Sequence, residues 1–201
     1  MSTRIESLQT GSLLQVVSAR SDLSRPIRAV SVLFITVLTI AAAQISIPLP
    51  FTPVPFTLQP MIVLLGAAAL GSRLGMASQV LYLAAGIAGI PVFAASPVLP
   101  QGMARLLGPT GGYLMVYPFA ALLTGYLAER GFDRRYLTSV LAMCAGLALI
   151  FASGVAWIAW GAPHAGFATA VASGLAPFVL ADFLKVLVAA AVLPGAWRLL
   201  R

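Results

Sequence analysis

The sequence predicts an all-α fold, a polytopic membrane protein with six transmembrane helices, on three observations. First, the chain has 201 residues, 60% hydrophobic and 8% charged, whereas soluble domains carry about 25% charged residues. So little polar surface cannot cover a globule. Second, several apolar runs reach the ~20 residues a spanning helix needs. Third, the basic residues segregate. Six spans put both ends on one side, which collects Arg4, Arg20, Arg25, Arg28, Arg73, Arg130, Arg134, Arg135, Arg198 and Arg201. The other side has only Arg105, and Lys185 belongs to neither. This is the asymmetry of the positive-inside rule. It predicts a multi-pass plasma-membrane protein with both termini cytoplasmic, and it explains the net charge of +7 without nucleic acid.

Residues 1–27 hold Arg4, Glu6, Arg20, Asp22 and Arg25 and are too polar to span. They lack a signal-peptide pattern and read as a cytoplasmic N-terminal extension, with Leu13–Val17 either a short interfacial helix or part of a flexible tail. Residues 28–201 read as a single six-helix transmembrane substrate-binding domain. Span one is about Ala29–Ile47. It ends in the stretch from Pro48 to Pro60, with five prolines in thirteen residues and no charge. Proline removes a donor and fixes φ, so this loop is either a lid over the membrane face or a rigid connector. Span two, about Thr57–Ser72, is short. A turn at Gly71–Gly75 leads to span three, about Leu74–Phe93, ended by Pro91. A second loop rich in Pro and Gly carries Arg105. Span four, about Gly111–Ala128, contains Pro118 as a kink. The polar turn from Glu129 to Arg135 precedes span five, about Tyr136–Trp160. A short loop with His164 leads to span six, about Thr169–Leu193. Trp157, Trp160 and Trp197 fall near span ends, where interfacial anchoring accounts for them.

Topology leaves three charges unexplained: Arg105, Asp182 and Lys185. The last two stand in the apolar run from Pro177 to Pro194, where a charge at the helix centre costs about 2.5–3.5 kcal/mol. Their i, i+3 spacing puts them on one helix face. They are either a self-neutralising structural pair or part of a pocket for a small polar molecule. In the second case Asp182 accepts from N–H groups, Lys185 donates to a carbonyl, and Arg105 pairs with a carboxylate. A proton-coupled secondary transporter of a small polar anion, acting alone with Asp182 as proton carrier, is the rival mechanism. No catalytic set is present: His164 is the single histidine, the lone Cys144 has no thiol partner, and Gly108-Pro-Thr-Gly-Gly lacks the lysine of a phosphate loop. The chain reads as a non-enzyme without cofactors, and any ATP chemistry must come from partners.

Four motifs in order carry a family resemblance: Pro53-Val-Pro55-Phe-Thr57-Leu-Gln59, Leu65-Gly66 through Leu70-Gly71, Gly86-Ile-Ala-Gly89-Ile-Pro91-Val-Phe93, and Gly108-Pro-Thr-Gly-Gly-Tyr113-Leu, followed by Asp182-Phe-Leu-Lys185. With these, the chain resembles the BioY family over residues 28–195. These are the biotin-binding S components of energy-coupling factor (ECF) transporters. The resemblance implies an S-component-like bundle of six helices that binds biotin from outside with high affinity. It implies a pocket near the outer face, built from helices four to six and closed by the loops after spans one and three. It implies three partner subunits, a transmembrane coupling protein and two cytoplasmic ATPases. By the same resemblance Asp182 and Lys185 contact the ureido ring and Arg105 the valerate carboxylate, with Gln59, Gly112 and Tyr113 as wall residues. Two departures stand out: helix one lacks an early small-xxx-small patch, and the stretch after Phe93 is Ala94-Ala-Ser.

Overall fold

The computed structural model describes residues 11–18, 24–96, 99–161 and 166–199. The readings placed on Arg4, Glu6, Arg20, Asp22, His164 and Arg201 lie outside these. Among the described residues the order is α1 (Leu13–Ser18), α2 (Ser24–Gln44), β1 (Ser46–Ile47), β2 (Phe56–Thr57), α3 (Gln59–Leu70), α4 (Ser72–Ile87), α5 (Met103–Leu107), α6 (Gly111–Glu129), a 3-10 turn (Phe132–Arg134), α7 (Tyr136–Gly161), α8 (Gly166–Gly174) and α9 (Val179–Leu199).

The expected spans correspond to α2, α3, α4, α6, α7 and α9. Four of them, α2, α6, α7 and α9, are long and apolar enough to cross a membrane. At 1.5 Å per residue, the 12 residues of α3 cover only about 18 Å. The central element is α6, which packs on α3, α4 and α7. Aliphatic and aromatic side chains point outward along α2 (Val30, Leu33, Phe34, Val37), α7 (Leu137, Leu141) and α9 (Leu180, Val188). An outward face of this kind suits hydrocarbon, not water.

The structure corrects three expectations. The proline-rich loop is a small antiparallel ribbon, with Ser46 opposite Thr57 and Ile47 opposite Phe56, so the fold is not wholly helical. Pro48, Pro50, Pro53 and Pro55 lie between the two strands, where no ladder hydrogen bond is lost, and Pro60 stands in the first turn of α3, where its missing N–H costs nothing. The sixth span is also broken. Pro177 cannot donate to a helical carbonyl, and the backbone instead turns through Leu175 and Phe178, with Phe178 N–H donating to Leu175 O at 3.0 Å. Asp182 therefore stands in the first turn of α9, where the helix dipole favours a carboxylate, and not mid-helix. Finally, two of the tryptophans are structural rather than interfacial. Trp197 is buried and donates to Asp133 Oδ2 at 2.7 Å, and Trp157 donates to Gly108 O at 2.9 Å. Trp160 is exposed.

One end of the bundle is tied by polar contacts, part-buried around Glu129 and buried at Asp133. Gly71 joins α3 to α4 at φ +88°, a conformation that costs L side chains. The Glu129 carboxylate at the end of α6 accepts from Ser72 N and Ser72 Oγ, both at 2.9 Å, and from Gln15 Nε2 of α1 at 2.9 Å. It thus caps the N-terminus of α4, as a carboxylate does best. At the same end Asp133 holds Trp197, while the Arg134 guanidinium lies 4.8 Å over the indole. Burial pushes the Asp133 carboxyl from 3.8 up to about 6, against the opposing effects of the Trp197 hydrogen bond and Arg134. A carboxyl raised on folding binds more protons folded than unfolded, so its contribution to stability falls as pH rises through that window. Thermal melts in detergent between pH 4 and pH 7 should show this loss, and Asp133→Asn should flatten it.

Candidate functional site

A pocket opens where the ribbon, α5 and α6 meet the start of α9. Its cavity volume is about 50 Å³. Of the residues singled out in the sequence, Gln59, Arg105, Tyr113 and Asp182 line it. Tyr117 and Phe151 add aromatic surface.

Arg105 sits on the five-residue α5, carried in the loop that precedes α6. It is 1% exposed. Its Nη2 donates to Ala94 O, which also accepts from Gln101 Nε2 at 3.5 Å. Its Nε and Nη1 have no hydrogen-bond partner among the described residues. Burial lowers its pKa, but an arginine starts so far above neutrality that it stays charged. A buried guanidinium with two open donors is costly unless an anion arrives.

The second polar wall is Asp182, 5% exposed. Lys185 Nζ donates to Asp182 Oδ1 at 2.6 Å and to Thr57 O at 2.6 Å. It also lies 3.5 Å over the Phe56 ring, a cation–π arrangement. Lys185 does not line the pocket. It stands behind Asp182, orients it, and ties α9 to β2. One carboxylate oxygen, Oδ1, is thereby held.

Gln59 and Tyr113 form rigid walls. Gln59 Nε2 donates to Tyr82 OH at 2.7 Å, and Tyr82 OH to Val92 O at 3.4 Å. Tyr113 OH donates to Gly174 O at 2.7 Å, and its ring lies against Gly154 of α7. A Cβ at Gly154 would overlap that ring. Gly154→Ala should therefore lower stability by about 1–3 kcal/mol, as overpacking does, in a chemical or thermal melt.

Gly112 departs from expectation. It faces α7, where a Cβ would overlap Trp157, and Ser153 Oγ donates to its carbonyl at 2.9 Å. It is a helix-packing glycine and not part of the pocket wall. On the next residue of the helix, Tyr113 turns to the cavity while Gly112 is closed off by Trp157 and Ser153. Tyr117 was legible instead, because it lies one turn beyond Tyr113 on the same face. The expected closure by both loops has a structural counterpart: Val54 and Pro55 of the first loop and Ala94 of the second line the pocket. Thr52 Oγ1 fastens the first loop to α8 by donating to Ser173 O at 2.7 Å.

Comparison with known proteins places these features in a family. A family model described as "BioY family" matches residues 15–201. The chain is 39% identical over 151 residues to a protein of Pyrococcus horikoshii described as a probable biotin transporter BioY, covering 74% of this chain and 82% of that protein. It is 38% identical over 160 residues to the biotin transporter BioY of Thermotoga maritima, covering 78% of this chain and 88% of that protein. Among solved structures, it matches a crystal structure of the S-component for biotin from an ECF-type ABC transporter. The TM-score is 0.79 at 23% identity, over 89% of this chain and 94% of that one; at that identity the likeness bears on the fold.

Proposed function

The chain belongs to the BioY family, and from that premise we propose that it is a high-affinity biotin-binding membrane subunit that mediates biotin uptake. The observation that carries this reading is the buried Arg105, with two open donors, in a pocket whose other polar wall is Asp182. Biotin has matching ends: a carboxylate on a flexible chain, and a ureido ring whose N–H groups donate.

The carboxylate pairs with Arg105 Nε and Nη1 in the fork geometry that favours guanidinium. The ureido N–H groups donate to Asp182. Lys185 acts through Asp182, neutralising it in the ligand-free protein and holding its orientation. Gln59, Tyr113 and Phe151 enclose the apolar ring system between these two ends.

α2, α3, α4, α6, α7 and α9 are the six spans, with both termini cytoplasmic. Arg25, Arg28, Arg73, Arg130, Arg134, Arg135 and Arg198 support this orientation, since they fall at or near helix ends. The pocket then opens on the outer side. Uptake uses an ECF coupling protein and two cytoplasmic ATPases, because the chain carries no nucleotide-binding motif of its own.

Isothermal titration of the purified protein in detergent should show saturable one-to-one biotin binding without ATP. Absence of binding to folded protein would overturn the reading.

A further inference from the structure

One polar atom of the pocket has no assigned role. Thr110 is 6% exposed and lines the cavity, yet its Oγ1 has no hydrogen-bond partner among the described residues. It occupies the N-cap of α6 without capping it through its side chain. N-cap threonines ordinarily accept from a first-turn N–H, so a buried hydroxyl that does not is an anomaly to be explained. The backbone around it is fixed by other bonds. Gly111 N–H donates to Gly108 O at 3.0 Å, and Leu114 N–H to Thr110 O at 3.2 Å. Five residues earlier in the chain is Arg105, buried in the same pocket with Nε and Nη1 open. The 19-residue α6 presents the positive end of its dipole at Thr110. Hydroxyl, guanidinium and helix terminus all favour negative charge.

We propose that Thr110 is a specificity-determining residue, its hydroxyl donating to the ligand carboxylate beside Arg105 at the head of α6. The inference rests on the biotin reading above. It requires the site to distinguish a free carboxylate from a neutral ester at Thr110 itself. With a carboxylate, Oγ1 donates to a charged acceptor, a bond about twice as strong as a neutral one. With an ester it meets only a weak acceptor.

The test is titration of detergent-solubilised protein with biotin and with biotin methyl ester. Thr110→Val, which keeps the shape, should weaken biotin by about tenfold or more, the range for a hydrogen bond to a charged group. It should leave the ester within about twofold. Thr110→Ser should retain most of the biotin affinity. If the valine variant fails to fold, Thr110→Ala carries the comparison, with serine as its rescue. Unchanged biotin affinity without the hydroxyl would overturn the proposal, as would equal losses for acid and ester. If the unaltered protein bound no biotin at all, the broader functional reading would fall with it; the two failures are distinct.

Discussion

Arg105→Met is expected to weaken biotin binding by about 2–5 kcal/mol, the cost of removing one partner of a buried, hydrogen-bonded charge pair. That is about thirtyfold to several-thousandfold in affinity. The same substitution should leave the ligand-free protein as stable or more stable. In the empty pocket the guanidinium is 1% exposed and satisfied only at Nη2, and an apolar side chain of similar length removes that desolvation cost. Ala94 O would keep Gln101 as its donor. Opposite signs on binding and stability are the mark of a residue retained for its ligand. Arg105→Lys should fall between, since an ammonium keeps the charge and loses the fork. Paired titrations and thermal melts check all three.

The second large effect concerns α9. Lys185→Met should destabilise the protein by about 3–5 kcal/mol, because it strands a buried carboxylate. It also removes the Nζ bond to Thr57 O and the contact over Phe56, which loosens the ribbon over the pocket. Asp182→Asn should cost about 1.5–3 kcal/mol of biotin affinity, the range for charged hydrogen bonds. The combination Asp182→Asn with Lys185→Met should recover much of the stability lost by the lysine change alone, but none of the binding. Chemical denaturation and calorimetry on the four proteins give the coupling energy. Recovery of both stability and binding would reduce the pair to a structural ion pair.

Much of this was open to a reading of the chain alone, and the reasons differ by element. Helix ends at Arg73 and at Arg130–Arg135 are marked by charge, which hydrocarbon rejects. Arg105 and Asp182 stand out because topology gives them no role, and the fold brings both to one pocket. Pro177 marks the break before α9, but apolar residues on both sides make the run read as one span. The pairing of Ser46–Ile47 with Phe56–Thr57 joins strands across eight residues and has no local periodicity to betray it. The i, i+3 spacing correctly places Asp182 beside Lys185, yet only packing against Thr57 decides which of them meets the cavity. Thr110 hides differently: it looks like an ordinary N-cap until the structure shows its hydroxyl left free of that duty.

The most direct test of the account is a structure of the biotin complex. The carboxylate should lie about 3 Å from Arg105 Nε or Nη1 and the ureido ring against Asp182. Biotin bound outside this pocket, or inside it with Arg105 still unpaired, would contradict the account.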